Sequence, residues 1–390
     1  MVICLLARRI WTHGLGGMEE HCRSVATELV RLGHPVHVLT TAHPEGRLTE
    51  QAYGATLHYL PTTPPGDYSG AWWRESRRWA REHFPRLGVG AVLSMSMAAY
   101  GLVGLAGPPL YTIIHGWGLN QLRSYWHDAH GWRRLAEFPR SALALVAALP
   151  KARRLARASA CVLAVSREIE RQLERYRVCF VPNWIDASAF PADPAERARV
   201  RAGLGLGADD CVALMVSTLS RQKGVHIGLR ACAVLARECP SLAAVVVGDG
   251  AAAAELKAET RRDAPHLRAH FAGARPHAEV PAYYAAADLF LLPTLRQEGM
   301  PTTVLEAMAA GLPVVGTRAG GTPTGVADGT TGLLVGLGDV RAFTDAVRAL
   351  VSDPGLRRRM GQAGRARVLS EFDRSVVVPR LVRVLGAGSC

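Results

Sequence analysis

Short apolar runs alternate with longer amphipathic stretches along most of the chain. The short runs are rich in Val, Ile and Leu, which is typical of strands buried on both faces of a parallel sheet. The stretches between them have the apolar spacing of helices that pack on such a sheet. The pattern therefore predicts an α/β protein built from βαβ units. The predicted strands are 2–7, 36–40, 55–60, 91–95, 110–115, 160–165 and 179–182, followed by 211–217, 242–248, 267–273, 288–293, 313–316 and 332–335.

One segment, VPNWIDASAFPADPAE at 181–196, interrupts this series of strands. Its prolines and its polar end before a new helix are typical of a linker. A chain of 390 residues is long enough for two domains, each with its own core. We therefore predict domains at 1–182 and 183–370 and a final helical segment at 371–390. In sheets of this type, ligands bind beyond the carboxyl ends of the strands.

Composition favours a packed protein without a membrane-spanning segment. Hydrophobic residues make up 49% of the chain and charged residues 20%, which argues against disorder. No apolar run reaches the roughly 18 residues that a spanning helix needs. The first run is broken by Arg8 and Arg9, so we interpret it as a strand rather than a signal peptide. The eight cysteines lack zinc-site spacing, and we expect reduced thiols in a cytoplasmic protein, without a disulfide framework or a structural metal.

Two glutamates, Glu298 and Glu306, lie eight positions apart, one after a predicted strand and the other near the start of a helix. The helix is predicted over 302–310, and either Thr302 or Thr303 is expected to cap it. Unpaired N–H groups at such a helix start suit a diphosphate bound at 300–303.

Each of these carboxylates can accept hydrogen bonds from two neighbouring hydroxyls at once. Glu306 is therefore a candidate to hold a ribose diol, and Glu298 a candidate to hold the hydroxyls of a sugar. In the alternative interpretation, Glu306 only complements the helix dipole and Glu298 is a solvated loop charge.

The surrounding motifs favour the first interpretation. They read E-G-M-P, E-A-M-A, G-L-P-V-V and G-G, at 298–301, 306–309, 311–315 and 320–321. This segment resembles the signature of the retaining GT-B glycosyltransferases of glycosyltransferase family 4. Further segments that resemble the family follow its order, at 14–21, 31–40, 181–186, 219–229, 245–250, 270–273, 283–293 and 328–335.

The resemblance implies a fold and a reaction. The implied fold is GT-B: two Rossmann-like, doubly wound domains that face a central cleft, the first binding the acceptor and the second the nucleotide sugar. The C-terminal helix of 371–390 is expected to pack back on the first domain. The implied reaction transfers a hexose from a nucleotide-diphosphate sugar, such as a UDP-sugar, to a glycan or lipid-linked acceptor with retention of configuration. No cofactor and no metal are expected, since Asp249 has no D-x-D partner.

The resemblance also implies the site residues. His115, Lys223 and Glu298 are expected at the reaction centre, where they position the substrates and stabilise charge rather than form a covalent intermediate. Lys223 would place a point charge on the leaving diphosphate. The residues expected to bind the donor are Gly16, Gly17, Thr218, Arg221, Lys223, Gly299, Met300, Pro301, Thr302, Thr303 and Glu306.

Two positions depart from the family pattern. Thr218 occupies the place where an arginine that binds the diphosphate is expected. Arg221 is a candidate to replace that arginine, or it faces solvent. Thr324 stands where a glutamate commonly follows a proline, which we expect to alter loop packing rather than chemistry.

The glycines at 14–17 also permit a dinucleotide-binding hypothesis. The fingerprint G-x-G-x-x-G fits Gly14 and Gly16 but meets Glu19 at its third glycine, so a nicotinamide enzyme fits poorly. The glycine pair instead opens the next helix and lets an acceptor or a sugar phosphate approach the backbone. An ordinary strand-to-helix turn remains the alternative.

The net charge of +13 is concentrated in residues 1–182, which carry 22 Lys and Arg against 13 Asp and Glu. Segment 71–86 combines three tryptophans with arginines, and segment 132–157 flanks an apolar stretch with basic clusters. Such segments are able to lie on an anionic membrane, which would give a peripheral location and a lipid-linked acceptor. In the alternative, the tryptophans face the core and the arginines are solvated.

The main rival function is a catalytically degenerate GT-B scaffold that acts as a basic membrane- or nucleic-acid-binding protein. The chain has no nucleic-acid-binding motif, so nucleic acid is not an expected partner. A sugar-nucleotide epimerase or a phosphorylase would share the fold, but the pair of glutamates favours transfer.

Overall fold

The computed structural model describes residues 1–14, 16–118, 122, 124 and 133–387, with the side chains of 133–137 left undescribed. The chain divides into two compact units. The first unit comprises Met1–Leu119, Leu143–Asn183 and Val378–Cys390, and the second comprises Asn120–Ala142 and Trp184–Val377. Both units are α/β and each is built on a largely parallel sheet, as the alternation of apolar runs and amphipathic stretches predicts.

The first unit contains an eight-stranded sheet in the order β3-β4-β2-β1-β5-β6-β7-β8. Neighbouring strands are parallel except for β3 and β4, which are antiparallel. The order reverses between β1 and β5, which makes this pair the switch point of the sheet. The strands are β1 Val2–Leu6, β2 Val36–Thr41, β3 Thr49–Ala52, β4 Ala55–Leu60, β5 Val89–Met95, β6 Leu110–Ile114, β7 Cys161–Ala164 and β8 Val178–Phe180.

The second unit contains a six-stranded parallel sheet in the order β11-β10-β9-β12-β13-β14. Here the order reverses between β9 and β12. The central strand β10 is buried at every position, because helices cover both faces of such a sheet. The strands are β9 Cys211–Val216, β10 Leu242–Val247, β11 Arg268–Gly273, β12 Leu289–Leu292, β13 Val314–Thr317 and β14 Gly332–Val335.

Helices occupy the connections between these strands. In chain order they are α1 Gly17–Arg31, α2 Gly70–Leu87, α3 Arg133–Ala158, α4 Arg167–Gln172, α5 Pro194–Gly203, α6 Val225–Leu235, α7 Ala253–Asp263, α8 Val280–Ala286, α9 Thr302–Ala309, α10 Thr322–Gly325, α11 Val340–Ser352, α12 Pro354–Arg367 and α13 Arg374–Ala387. Within the described ranges, none of them combines the length and the apolar composition needed to cross a bilayer.

Two features of the compact units concern the predicted division of the chain. The described residues between 122 and 142 group with the second unit, although they lie within the predicted domain 1–182. The last residues, from Val378, group with the first unit, where the Tyr111 hydroxyl donates to the Leu385 carbonyl at 3.1 Å.

The tryptophans of segment 71–86 face the core of the first unit. Trp72 is completely buried and its indole N–H donates to the Ala98 carbonyl at 2.9 Å. Trp73 and Trp79 pack against the same apolar cluster. The membrane interpretation of these tryptophans is therefore wrong, because the helix presents Arg74, Arg78 and Arg81 to solvent while its indoles pack inward.

The cysteines follow the prediction only in part. Free thiols are present at Cys4, Cys22, Cys179, Cys211, Cys232 and Cys239. Cys161 is disulfide-bonded, so the expectation of reduced thiols throughout is wrong at that position.

Candidate functional site

The switch point of the second sheet places two loops side by side. Strands β9 and β12 are parallel neighbours, and the chain leaves both of them at their carboxyl ends. The loop after β9 carries Thr218, Arg221 and Lys223, and the loop after β12 carries 293–301. In open α/β sheets this crevice is where ligands bind.

Lys223 and Glu298 meet in this crevice. The ammonium Nζ of Lys223 donates to Oε1 of Glu298 at 2.5 Å, and the Thr294 hydroxyl donates to the same oxygen at 3.4 Å. The two side chains are only 19% and 15% exposed. Two residues that the sequence assigns to the reaction centre are thus in direct contact.

The charge of Glu298 is stabilised by its neighbours. Burial acts to raise the pKa of the Glu298 carboxyl, but the positive charges of Lys223 and Arg296 and the hydrogen bonds from Lys223 and Thr294 outweigh it. The pKa therefore lies below its ordinary value and the carboxylate is ionised at neutral pH. Arg296 is exposed on the same loop.

Gly224 locks the loop after β9 against the loop after β12. It has φ +71°, and a Cβ atom there would lie 1.8 Å from the Pro293 carbonyl oxygen. The N–H of Leu295 donates to the Gln222 carbonyl at 2.8 Å, which joins the two loops a second time. Only glycine fits this approach, so the position of Lys223 is set by backbone packing.

A third loop, after β13, supports Glu298 from behind. Gly320 has φ +51°, and a Cβ there would lie 2.0 Å from the Glu298 carbonyl oxygen. That oxygen accepts from the N–H of Gly321 at 2.9 Å, while the N–H of Gly320 donates to Oε1 of Gln297 at 2.9 Å. The G-G motif therefore holds the backbone on which Glu298 sits.

Helix α9 begins directly after this loop. Its N-cap is Pro301, and no side chain caps it, so the expectation that Thr302 or Thr303 caps the helix is wrong. The physical reason is local, because the helix already includes both threonines as its first two residues. The first turn thus keeps backbone N–H groups that no side-chain cap satisfies, as an anion site requires. Gly299, Met300 and Pro301 form the approach to it.

Glu306 is buried one turn into α9, with 6% of its surface exposed. The Tyr284 hydroxyl donates to its Oε2 at 2.8 Å and contacts the Thr303 carbonyl at 3.3 Å. Oε1 lies 3.7 Å from Nε2 of His277. Tyr284 is completely buried, and burial together with the charge of Glu306 raises its pKa well above the ordinary value. The phenol therefore stays protonated and fixes one oxygen of the carboxylate.

The remaining polar residues of the loop after β9 lie elsewhere. Arg221 is only 11% exposed and forms ion pairs with Glu255 and Glu259 of α7, including a contact of 3.0 Å to Oε2 of Glu259. It does not face solvent, and its guanidinium is committed to two carboxylates. Thr218 is exposed at the carboxyl end of β9.

The first unit contributes a pair of histidines at the carboxyl edge of its own sheet. His115 follows β6, and its Nε2 lies 2.6 Å from Nδ1 of His21 on α1. Burial lowers the pKa of His115 to about 4, and burial with the neighbouring ring lowers that of His21 well below its ordinary value. Both rings are therefore neutral at pH 7, with one nitrogen donating to the other. Among the described atoms, His115 Nδ1 has no hydrogen-bond partner.

Gly16 and Gly17 lie at the start of helix α1, as expected for the glycine pair. Gly16 is its N-cap and no side chain caps the helix. A Cβ at Gly17 would meet nothing within 4 Å, whereas one at Gly16 would meet the Glu19 carboxylate at 2.5 Å. The space beside Gly17 is thus open, whereas the Glu19 carboxylate occupies the space beside Gly16.

Two residues of these clusters carry no assignment from the sequence. His21 lies inside the motif at 14–21, but its partner is 94 positions away. Tyr284 lies in the apolar segment 283–293, 22 positions before Glu306. No local pattern joins either pair, because tertiary packing alone brings them together.

Comparisons with known proteins bear on the family and the fold of the chain. The family described as "Glycosyltransferase Family 4" matches residues 15–189, and the family "Glycosyl transferases group 1" matches 196–367. A solved structure, the sucrose-phosphate synthase from Thermosynechococcus elongatus, superposes with a TM-score of 0.80 at 22% identity, covering 99% of both chains.

Two relatives by sequence are glycosyltransferases of named specificity. The chain is 38% identical over 213 residues to a GDP-mannose-dependent alpha-(1-6)-phosphatidylinositol monomannoside mannosyltransferase from Mycolicibacterium smegmatis, which covers 53% of this chain. The chain spans 55% of that relative's length. It is 28% identical to a D-inositol 3-phosphate glycosyltransferase from Corynebacterium glutamicum, over 89% of this chain and 86% of the relative. The chain belongs to the group 1 glycosyltransferases of glycosyltransferase family 4, with the GT-B fold.

Proposed function

We propose that this chain transfers a hexose from a nucleotide-diphosphate sugar to a lipid-linked or glycan acceptor, with retention of anomeric configuration and without a metal ion. The observation that carries the proposal is the crevice of the second sheet. It combines a Lys223–Glu298 ion pair with an uncapped helix start and a buried, oriented Glu306.

Each group in the crevice has a distinct task in this proposal. The diphosphate binds at the start of α9, where the N–H groups and the helix dipole favour an anion. Lys223 stabilises the charge that develops on the leaving phosphate. The Oε1 atom of Glu306 accepts from the ribose diol, since Oε2 is held by Tyr284. Glu298 accepts from sugar hydroxyls, and the neutral imidazole of His115, which belongs to the first unit, is a separate hydrogen-bonding group.

We propose a guanosine or uridine diphosphate as the nucleotide of the donor. The mannosyltransferase relative is named as GDP-mannose-dependent, which makes GDP-mannose the first donor to test. A UDP-sugar, the donor expected from the sequence, is the second. The acceptor is proposed to be a lipid-linked sugar or an inositol-containing glycolipid, by analogy with the two relatives.

Because a lipid-linked acceptor lies in the membrane, we propose a peripheral position of the protein on the inner face of the cell membrane. The part of α3 in the first unit exposes Leu143 to 71% and Val146 to 50%. Lys151, Arg153 and Arg154 are exposed further along the same helix. Apolar side chains next to basic ones suit an anionic lipid surface, where each basic residue contributes about 1 kcal/mol. Sedimentation with anionic vesicles at low and high salt tests this, and no binding at low salt would contradict it.

The transfer itself is tested with the purified protein, GDP-mannose or UDP-glucose, and a phosphatidylinositol mannoside as acceptor. We expect release of one nucleoside diphosphate, an unchanged rate in EDTA, and an α-linked product from an α-linked donor by NMR. Vesicle binding without turnover of any donor would instead favour the degenerate scaffold.

A further inference from the structure

A cavity of about 580 Å³ opens at the amino ends of strands β6, β7 and β8 in the first unit. Its wall includes Leu110, the first residue of β6, and Ala160, just before β7. His115 follows the opposite end of β6, about 16 Å away at 3.3 Å per residue. The cavity is therefore separate from the histidine pair.

The cavity is strongly basic. Arg157, at the end of α3, and Arg175 and Arg177, just before β8, are among its lining residues, and no Asp or Glu is. In the described part of the chain, none of these three arginines forms an ion pair. By contrast, Arg167 and Arg171 on the adjacent α4 pair with Glu170 and Glu168 at 2.8 and 3.1 Å. The cavity thus gathers positive charge that the protein itself does not neutralise.

The walls of the cavity are formed without a ligand. The guanidinium of Arg77 donates to the carbonyls of Gly101 and Val103 at 2.9 and 3.0 Å, which fixes the loop at 103–109. The carbonyl of Arg177 accepts from the N–H of Val162 at 2.7 Å, so the backbone beside the basic group is held by the sheet. Buried apolar side chains, Phe84, Val92 and Leu102, line another part of the cavity.

We propose that this cavity is a binding site for an amphiphilic phosphate ester. The guanidinium groups of Arg157, Arg175 and Arg177 would hold the phosphate, since their planar forks match its oxygens. The apolar wall would take the adjoining hydrophobic part of the ligand. The same chemistry is found in a phospholipid head group and in a soluble phosphorylated metabolite.

The test uses isothermal titration calorimetry of the full chain at low ionic strength. The probes are monomeric dihexanoyl phosphatidic acid, its zwitterionic phosphatidylcholine counterpart, and glycerol 3-phosphate. The test variant is R175A/R177A, and the matched control is R167A/R171A, which removes the same charge from paired arginines nearby. All four side chains are exposed, and melting temperatures verify that both variants are folded.

We expect phosphatidic acid to bind the wild type and the control alike, and to bind R175A/R177A at least tenfold more weakly. Binding of glycerol 3-phosphate with the same variant dependence would indicate a soluble phosphate, and binding of phosphatidic acid alone would indicate a lipid. No binding to the wild type, or equal losses in both double variants, would overturn the proposal. The stabilisation by nucleoside diphosphate is measured in parallel, and it is expected to be equal in all three proteins, so this site is judged independently of the proposed transfer.

Discussion

Each of the two sheets has a pair of polar side chains at its carboxyl edge. Burial makes one pair neutral, whereas the other pair stays charged. In the first unit, His21 and His115 are deprived of water without an acidic neighbour, and both lose their charge. In the second unit, Lys223 and Glu298 are similarly shielded, yet the opposite charges hold the pKa of the carboxyl low. Burial alone produces a neutral hydrogen-bonding group, whereas burial with a counter-charge preserves an ion.

This difference divides the proposed labour between the units. His115 is a neutral imidazole whose Nδ1 is buried without a hydrogen-bond partner among the described atoms, whereas a lysine beside an uncapped helix start is suited to a diphosphate. Substitution of Lys223, which removes a charge, should therefore have a larger effect than substitution of His115, which removes a neutral group.

The largest effect is expected from Lys223→Ala. It removes the positive charge that is proposed to stabilise the leaving phosphate. It also leaves Glu298 without its ammonium partner. We expect kcat to fall about 100-fold or more, the range seen when a group that stabilises developing charge is lost. Initial rates with the active donor measure this, and Lys257→Ala, a half-buried lysine on α7 outside the crevice, is the control. Equal rates for the two variants would remove Lys223 from the mechanism.

Gly320→Ala tests the support behind Glu298. The new methyl group would meet the Glu298 backbone, so the loop must shift and carry the carboxylate with it. We expect about a tenfold loss in kcat/KM, since small displacements of positioning groups are costly. Gly104→Ala is a matched control, because this glycine also has positive φ but its Cβ would meet nothing within 4 Å. A Gly320 variant as active as the control would show that the loop adapts freely.

A smaller effect is expected from Tyr284→Phe, which deletes the hydrogen bond to Glu306 and keeps the aromatic ring. The freed carboxylate should bind the ribose less well, which raises the donor KM about three- to tenfold with kcat nearly unchanged, in keeping with a hydrogen-bond contribution of about 1 kcal/mol. Steady-state kinetics separate the two constants. Tyr283→Phe on the same helix is the control, and a fall in kcat alone would argue against a positioning role.

The smallest effect concerns stability and pH. A folded-state pKa of about 4 for His115 lies below the unfolded value near 6.5, so the unfolded chain binds more protons and the fold loses stability as pH falls through this window. The variant His115→Gln should lose less stability between pH 6.5 and 5.5, by about 1 kcal/mol. Urea titrations at both pH values measure the difference. Parallel pH dependence in wild type and variant would mean that His115 is not held neutral.

The sequence predicts most of the architecture because continuous apolar runs report buried parallel strands directly. Strand β3 is not predicted, because three of its four residues, TEQA, are polar. It pairs antiparallel with β4 at the edge of the sheet. The α2 tryptophans show a second limit. Their spacing indicates an amphipathic helix, but it does not reveal whether the apolar face meets lipid or the core.

The candidate site divides in the same way. The proximity of Lys223 and Glu298 follows from two neighbouring strand ends, which the motifs locate. The motifs do not predict the partners of Arg221, Glu306 and His115, because packing between distant segments brings each pair together. The prediction that a threonine caps α9 is wrong, because Thr302 and Thr303 are the first two residues of the helix and Pro301 is its N-cap.

The central claim is that the crevice holding Lys223, Glu298 and Glu306 binds a nucleoside diphosphate. Thermal unfolding of the wild type with GDP and with UDP measures this most directly, since a ligand at 100 times its Kd stabilises the fold by about 2.7 kcal/mol. The account predicts a rise in Tm with one of the two nucleotides that is strongly reduced in both Lys223→Ala and Glu306→Gln. No rise with either nucleotide, or a rise that both variants retain in full, would contradict it.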